Sequence, residues 1–183
     1  MPCLRLFTIS LLATAAVLLG IFFLQRSKTA PKLVRLADKV FVSSQLSPKA
    51  IPALRRDGIA MIVDFRPDGE DRDQASSSLI GSVSKENGLD FHYIPVLKEY
   101  IPDSAVNALS EALSRRSSPS LLYCRTGRRA VQTFALVEAS RADGPGIAAI
   151  MKMVRDAGFH TDGIEESIAR RVEERGALPP AKN

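Results

Sequence analysis

Residues 59–65, with the sequence IAMIVDF, most narrowly limit the folds open to this chain of 183 residues. A continuous apolar run of this length is typical of a strand that is buried on both faces. Further short apolar runs at residues 91–96 and 121–124 alternate with segments of helical pattern. This alternation predicts right-handed βαβ units and therefore an α/β fold, with a central, mostly parallel sheet flanked by helices.

The apolar run at residues 121–124 ends on Cys124, and Arg129 follows five residues later, near the start of a predicted helix. The free N–H groups and the dipole at a helix N-terminus bind anions. The same field, together with nearby arginine charge, favours the thiolate form of a cysteine. This segment therefore predicts a site for a tetrahedral oxyanion beside a nucleophilic thiol.

Two other predicted loops should lie near Cys124. Residues 66–70 leave the end of the strand at 59–65, and residues 97–103 leave the end of the next strand. Because open α/β sheets bind ligands outside the carboxyl ends of their strands, we expect all three segments to share one edge of the sheet. We expect residues 66–70 to form only a turn with a solvent-exposed ion pair.

The N-terminal segment is strongly apolar, with no charged side chain in residues 6–24. A helix of this length can just cross a hydrocarbon core of about 30 Å. A secretory signal peptide is the alternative, but its apolar region usually has only about 7–15 residues, and residues 27–31 form a poor cleavage site. We therefore predict a single-pass membrane protein that uses this helix as its membrane partner.

This interpretation divides the chain into three parts: a membrane anchor with a basic linker at residues 1–32, a catalytic domain at 33–176 and a flexible tail at 177–183. The basic residues that follow the apolar segment outweigh Arg5, which favours a cytoplasmic catalytic domain. Very short N-terminal tails often stay inside regardless of charge, so both orientations stay open.

Composition argues against several classes of function. The formal net charge is +5, but no basic patch is interleaved with aromatic residues, so we expect no nucleic-acid partner. The chain has only two cysteines and two histidines, and they do not form a cluster with metal-ligand spacing. We therefore expect neither a metal site nor a cofactor.

Four ordered segments carry a resemblance to dual-specificity phosphatases: DKVFVSSQL at residues 38–46, IVDFRP at 62–67, FHYIPV at 91–96 and YCRTGRR at 123–129. Within this cysteine-dependent phosphatase superfamily, the chain is identified as a member of the phosphatase-like domain of the beta-lactamase-hydrolase-like family. That family typically shows an R-P-D-G-E turn and a C-R-S/T-G-x-R loop, and both are present here.

The resemblance implies a cysteine-phosphatase-like fold that hydrolyses phosphate monoesters, in a phosphorylated protein or a small phosphoester. It makes Cys124 the nucleophile and Arg129 the residue that binds the phosphoryl oxygens. The remaining phosphate contacts would come from the backbone of the loop, at Arg125, Thr126, Gly127, Arg128 and Ala130. Arg125 and Arg128 could also add charge or bind a second anionic group.

The loop departs from the common phosphatase pattern. The arginine follows the cysteine by five positions instead of six, which is the usual loop length of rhodaneses. A sulfurtransferase that carries a Cys124 persulfide from a sulfur donor is therefore the alternative enzyme. In addition, Ala130 replaces the hydroxyl residue that commonly follows the arginine. This departure keeps open a third interpretation, a catalytically weak phosphate-binding module.

The general acid is left open by the sequence. The position at which dual-specificity phosphatases carry an aspartate is Lys98, and the nearest carboxylates in the same loop are Glu99 and Asp103. Asp68 in the neighbouring turn is a more remote candidate. Asp103 also fits a simpler role, as an acidic residue in the first turn of a helix.

Overall fold

Five short strands form one sheet: β1 (Val34–Ala37), β2 (Val40–Ser43), β3 (Met61–Asp64), β4 (Asp90–Tyr93) and β5 (Ser120–Tyr123). Their order is β1-β2-β5-β3-β4, with β1 antiparallel to β2 and the other neighbours parallel. The computed structural model describes residues 31–98, 100–114 and 118–177. The predicted α/β architecture with a mostly parallel sheet is confirmed in this part of the chain.

Six α-helices are present in the described residues: α1 (Ile51–Arg56), α2 (Ser77–Glu86), α3 (Asp103–Ser114), α4 (Arg128–Ser140), α5 (Ile147–Asp156) and α6 (Glu165–Ala177). A 3₁₀ turn at Pro48–Ala50 leads into α1, and the Ser47 hydroxyl accepts a hydrogen bond from the Lys49 N–H at its start. Ser76 begins α2 in a similar way, by accepting from the Leu79 N–H. Serine caps of this kind satisfy donors that the helix itself leaves free.

The central strands separate two apolar layers. Every residue of β3 and β5 is buried, and successive side chains point to opposite faces of the sheet. Ile62 and Leu121 pack with α1 and α2, whereas Val63 and Leu122 pack with the layer that contains α3 to α6. A parallel sheet covered on both faces explains why the apolar runs are continuous in the sequence.

Two predicted elements have different limits in the structure. The strand expected at residues 91–96 ends at Tyr93. Beyond it, Ile94 and Val96 still donate to the carbonyls of Asp64 and Phe65, but these acceptors are consecutive residues, so the regular ladder stops. The sequence predicts the last helix over residues 162–174, but this helix begins at Glu165 instead. Gly163 has a φ of +83°, and this left-handed conformation is incompatible with a helix at that position.

The predicted membrane topology requires a correction. Residues 6–24 lie outside the described residues, and within residues 31–98, 100–114 and 118–177 no helix is long and apolar enough to cross a bilayer. The prediction of a single-pass membrane protein with one transmembrane helix before the domain is therefore wrong on this finding. A long apolar stretch in a sequence does not by itself establish a membrane span.

Candidate active site

Cys124 lies directly after β5, the middle strand of the sheet, and just before α4. Its side chain points to the same layer as Leu122, and the residue is only 1% exposed. The Gly127 N–H donates a hydrogen bond to Sγ at 3.2 Å. Gly127 has a φ of +91°, which a glycine adopts without strain, and it precedes the first residue of α4. The chain thus turns around the sulfur and directs the helix N-terminus towards it.

Arg129 is fixed beside the thiol by two other loops. Its Nη1 donates to Glu70 Oε1 at 2.7 Å and to the Val96 carbonyl at 2.7 Å, and its Nη2 donates to Glu70 Oε2 at 2.9 Å. Burial acts to lower the pKa of Arg129, but the hydrogen bonds to Glu70 and the charge of Cys124 raise the pKa above its ordinary value. The guanidinium is therefore permanently charged next to the sulfur.

The hydrogen bonds that hold Arg129 leave one edge of the guanidinium for a ligand. Glu70 occupies the edge between the two Nη atoms, and Val96 takes the second proton of Nη1. Within the described residues, these bonds do not use the Nε–H or the second proton of Nη2, which point in parallel along the other edge. Two parallel N–H donors are the arrangement that binds two oxygens of a phosphoryl group.

Glu70 also joins Arg129 to a second, buried arginine. Its Oε2 accepts from Arg66 Nε at 2.9 Å, and the same guanidinium donates to Gln45 and Asp71. Arg66 is 3% exposed, so the expectation of a solvent-exposed ion pair in this turn is wrong. The hydrogen bond from Arg129, assisted by Arg66, lowers the pKa of Glu70 against the opposing effect of burial. Glu70 is therefore an ionised carboxylate between two guanidinium groups.

The other loop residues predicted to bind phosphate lie in different surroundings. Arg125 and Thr126 are exposed, and the Nε of Arg125 lies 3.5 Å from Oδ2 of Asp71. Arg128, also exposed, donates to the backbone carbonyl of Asp162 at 3.2 Å. Ala130 is buried in the first turn of α4 and has no side-chain group that could donate to a thiolate.

The candidates for a general acid lie in different surroundings. Asp103 is the first residue of α3, and its carboxylate binds Arg171 of α6, which is a helix-to-helix contact. In the described residues, no hydrogen bond joins Asp103 to the loop at residues 124–129. The Asp68 carboxylate accepts hydrogen bonds from the N–H and the hydroxyl of Ser77, so it binds the first residue of α2. Glu99 lies outside the described residues.

Tyr123, which stands where many phosphatases carry a histidine, belongs to the opposite layer. Its hydroxyl faces the carboxyl group of Asp64, the residue paired with it across β3 and β5. Burial raises the pKa of Asp64 to about 6, although the nearby Tyr123 hydroxyl and a hydrogen bond from the Arg66 N–H act to lower it. Burial likewise raises the pKa of Tyr123. Both groups lie behind the site and do not point into it.

The segment between α5 and α6 contributes residues that sequence reasoning missed. A Cβ at Gly127 would lie 2.9 Å from the Phe159 ring, so this ring packs directly on the loop. The carbonyl of Asp162 accepts from both Arg128 and Gln132. No local motif marks these residues, because their position depends on how the last two helices pack. The contact of Glu70 with Arg129 was missed as well, because residues 66–70 were expected to form only a turn with a solvent-exposed ion pair.

Comparisons with known sequences agree with this geometry. The family model of the beta-lactamase hydrolase-like protein, phosphatase-like domain, matches residues 32–141, more than half of the chain. A beta-lactamase hydrolase-like protein of Agrobacterium fabrum is 28% identical over 108 residues, which are 59% of this chain and 25% of the relative. Its counterpart in Xylella fastidiosa strain Temecula1 is 26% identical over 107 residues, 58% of this chain and 25% of the relative. The chain thus spans about a quarter of the length of these relatives.

Solved structures show the same fold. A candidate phosphatase from Neisseria meningitidis is 25% identical, with a TM-score of 0.66, and the match covers 75% of this chain and 96% of that one. A kinase-associated phosphatase, 15% identical, matches with a TM-score of 0.65 over 83% of this chain and 99% of its own and supports the fold alone. The resemblance stated from the motifs is confirmed, and the chain belongs to the family of beta-lactamase hydrolase-like phosphatase-like domains.

Proposed function

We propose that this chain is a cysteine-dependent phosphatase that hydrolyses phosphate monoesters through a phosphocysteine intermediate. The observation that carries the proposal is the geometry of Arg129: Glu70 and Val96 hold it beside the buried Cys124 and leave its Nε edge unused by those bonds. The catalytic domain of this proposal spans residues 33–176. Its relatives' family name and the phosphatases of the same fold support the assignment.

In the first step, the Cys124 thiolate attacks the phosphorus atom in line with the ester oxygen. A P–S bond forms, the P–O bond to the alcohol or phenol breaks, and the leaving oxygen takes a proton. Backbone N–H groups at residues 125–130 and the free edge of Arg129 bind the non-bridging oxygens, on which negative charge is spread in the transition state. These donors are already in place before the substrate arrives, so little reorganisation is needed.

In the second step, water attacks the phosphocysteine, the P–S bond breaks, and inorganic phosphate leaves as the thiolate is restored. Ala130 has no hydroxyl to stabilise the departing thiolate, so we expect this step to be slow compared with the first. Rapid-mixing experiments with an aryl phosphate should then show a burst of phenol release before steady turnover.

The proposal is tested with purified protein and 4-nitrophenyl phosphate. Wild-type protein should release phosphate, whereas Cys124→Ser should have no measurable turnover and Arg129→Lys should lose at least about 100-fold in kcat, because lysine cannot form the two parallel hydrogen bonds. Equal activity in wild type and Cys124→Ser would contradict the proposal.

We propose that the proton donor for the leaving group is either Asp103 or Glu99. Loss of a general acid matters more when the leaving group is poor, and a typical loss is about 10²–10⁴-fold. Asp103→Asn and Glu99→Gln are therefore compared with phenyl phosphate and 4-nitrophenyl phosphate. The donor is the residue whose variant loses much more activity with phenyl phosphate. If neither variant distinguishes the two substrates, both candidates are rejected.

A rhodanese-like sulfurtransferase is the second candidate, because the loop has five positions from Cys124 to Arg129. In that reaction thiosulfate would transfer its outer sulfur to the thiolate and release sulfite. Mass spectrometry of the protein after incubation with thiosulfate distinguishes the two: an added sulfur on Cys124 supports sulfur transfer. A phosphate-binding module would instead bind vanadate tightly and show no turnover in either assay.

A further inference from the structure

A cavity of about 340 Å³ lies directly beside the phosphate loop. Its walls come from three parts of the chain: the loop after β4, one face of α4, and the segment at the start of α6. The lining includes Lys98, Ile101, Arg128, Gln132, Asp162 and Ile164.

The cavity meets the phosphate loop at Arg128, the residue before Arg129, and runs along α4. Arg128, Gln132 and Leu136 line it and are spaced by four residues, so they lie on one face of the helix. Eight residues of α-helix span about 12 Å. Because Arg128 and Arg129 are neighbours in the chain, we expect a substrate whose phosphate lies against Arg129 to extend into this cavity.

The lining combines an apolar floor with a positively charged rim. Ile101 and Ile164 supply apolar surface. Lys98 and Arg128, both exposed, bring two positive charges, against the single carboxylate of Asp162. Such a surface suits an organic arm that ends in an anionic group, because the arm buries apolar area while the charge stays near the rim.

We propose that the natural substrate is a phosphate monoester that carries a second anionic group, and that this cavity binds that group. The inference rests on the proposed phosphatase function and deepens it. The phosphate is bound by the loop at residues 124–129, and the second anion lies between Lys98 and Arg128. Asp162 opposes binding of the second anion by charge repulsion. The segment between α5 and α6, which lies beyond residues 32–141 of the family match, thus contributes to substrate choice.

The test uses two aryl phosphates whose phenol leaving groups have similar reactivity. One is 3-(4-phosphonooxyphenyl)propanoate, and the other is its neutral carboxamide. With wild-type protein, kcat/KM for the acid should exceed that for the amide by about tenfold. Lys98→Met should reduce this ratio to about two, and Asp162→Asn should raise it about threefold, while both variants leave turnover of the amide within twofold of wild type.

Lys85→Met, at an exposed lysine of α2, is the matched control and should keep the wild-type ratio. The same pair of compounds is also titrated into Cys124→Ser protein, in which the acid should bind about tenfold more tightly than the amide. A ratio near one in wild type, or a ratio that Lys98→Met and Asp162→Asn leave unchanged, overturns this inference while the phosphatase proposal stands. If neither compound is turned over, the phosphatase proposal fails, and binding to Cys124→Ser alone decides whether the cavity recognises the second anion.

Discussion

At the scale of single residues, Glu70 holds the Arg129 guanidinium, the group that we propose binds phosphate. One of its oxygens accepts hydrogen bonds from both Arg66 and Arg129, and the other accepts from Arg129 alone. An ionised carboxylate can accept from both arginines at once, whereas an amide would direct N–H groups at one of them. Glu70 is thus a positioning residue that acts through Arg129.

We therefore expect Glu70→Gln to lower kcat/KM for 4-nitrophenyl phosphate by about 100-fold, because a small displacement of a catalytic group is costly. The loss should persist under conditions in which circular dichroism shows the variant fully folded. Glu86→Gln removes the same charge from an exposed position at the end of α2 and should stay within twofold of wild type. A change of less than about threefold in Glu70→Gln would show that Arg129 does not need this carboxylate.

Asp64 provides a second prediction, on stability and pH. Burial raises its pKa from an ordinary value of 3.8 to about 6 in the folded chain, so the folded state holds the proton more tightly than the unfolded state does. The resulting stabilisation is fully present below about pH 4 and is lost as the pH rises through about 6. The free energy of unfolding should therefore fall by about 3 kcal/mol over this pH range.

Asp64→Asn has no proton to lose and should remove this pH dependence. Urea unfolding of wild type and variant at pH 4 and pH 7.5 measures the effect: the variant should gain stability relative to wild type as the pH increases. The Asn side-chain oxygen can still accept from the Arg66 N–H, so the hydrogen bond that Asp64 makes is retained. A constant difference between the two proteins across this range would contradict the assignment to Asp64.

At the residue scale, a local motif is enough to place a cysteine, a glycine and an arginine together where a strand ends and a helix begins. The cysteine, the arginine and the glycine at residues 124–129 are close in the chain, and the helix that starts there follows from its apolar pattern. The contact of Glu70 with Arg129 joins residues 59 positions apart, so it depends on the pairing of β3 with β5. A pattern over neighbouring residues contains no information on such a contact.

At the scale of elements, the start of α4 is the point at which strand, loop and helix meet. Gly127 combines a positive φ with close approach of the Phe159 ring, whereas Gly163 has a positive φ and no atom within 4 Å of the position that a Cβ would occupy. Alanine at Gly163 should therefore introduce backbone strain alone, whereas alanine at Gly127 should introduce both strain and a steric clash.

We expect Gly163→Ala to cost about 1–2 kcal/mol of stability from backbone strain alone. Gly127→Ala should cost more, because its Cβ must also displace the ring, and it should lower phosphatase activity by shifting the N–H groups that surround the sulfur. Thermal unfolding and kcat with 4-nitrophenyl phosphate measure both effects. Equal losses of stability in the two variants would show that the Phe159 ring can move away from the Cβ at no cost in stability.

The ends of helices can be predicted from the sequence where capping residues and glycines mark them. They are harder to predict where tertiary contacts determine the first or last residue. Ser47 followed by Pro48 marks the start of the turn that leads into α1, and Gly58, which has a φ of +88°, marks the end of α1. The last turn before α6 was predicted as helix because its composition is helical. Its backbone instead turns at Gly163, where the chain packs against Arg128 and Gln132.

At the scale of the whole molecule, the last two helices belong to the main core. Ile150 and Val154 of α5, together with Ile164 and Ile168, are buried in the same layer as the strands. Arg175 of α6 donates to four backbone carbonyls around the end of α4, at residues 138, 139, 141 and 145. The family match ends at residue 141, but the folded unit does not.

A chain truncated after Arg141 should therefore fail to fold cooperatively. Each of the four buried apolar side chains contributes roughly 1.5–3 kcal/mol, and together they approach the total stability of about 5–15 kcal/mol that is typical of a domain. Circular dichroism during heating should show a sharp transition for the full chain and none for the truncated one. A truncated chain with a sharp transition and Cys124-dependent turnover would contradict this view of the core.

The contacts of Arg129 have a consequence for when the chain becomes reactive. Its two fixed partners, Glu70 and Val96, lie 59 and 33 positions earlier in the chain, after β3 and β4. A partly folded chain with its helices formed contains the thiol but not the ordered guanidinium. A refolding chain therefore regains turnover only when the neighbouring strands have paired. Recovery of turnover would then indicate that the sheet is complete, whereas recovery of the helical circular-dichroism signal alone would not.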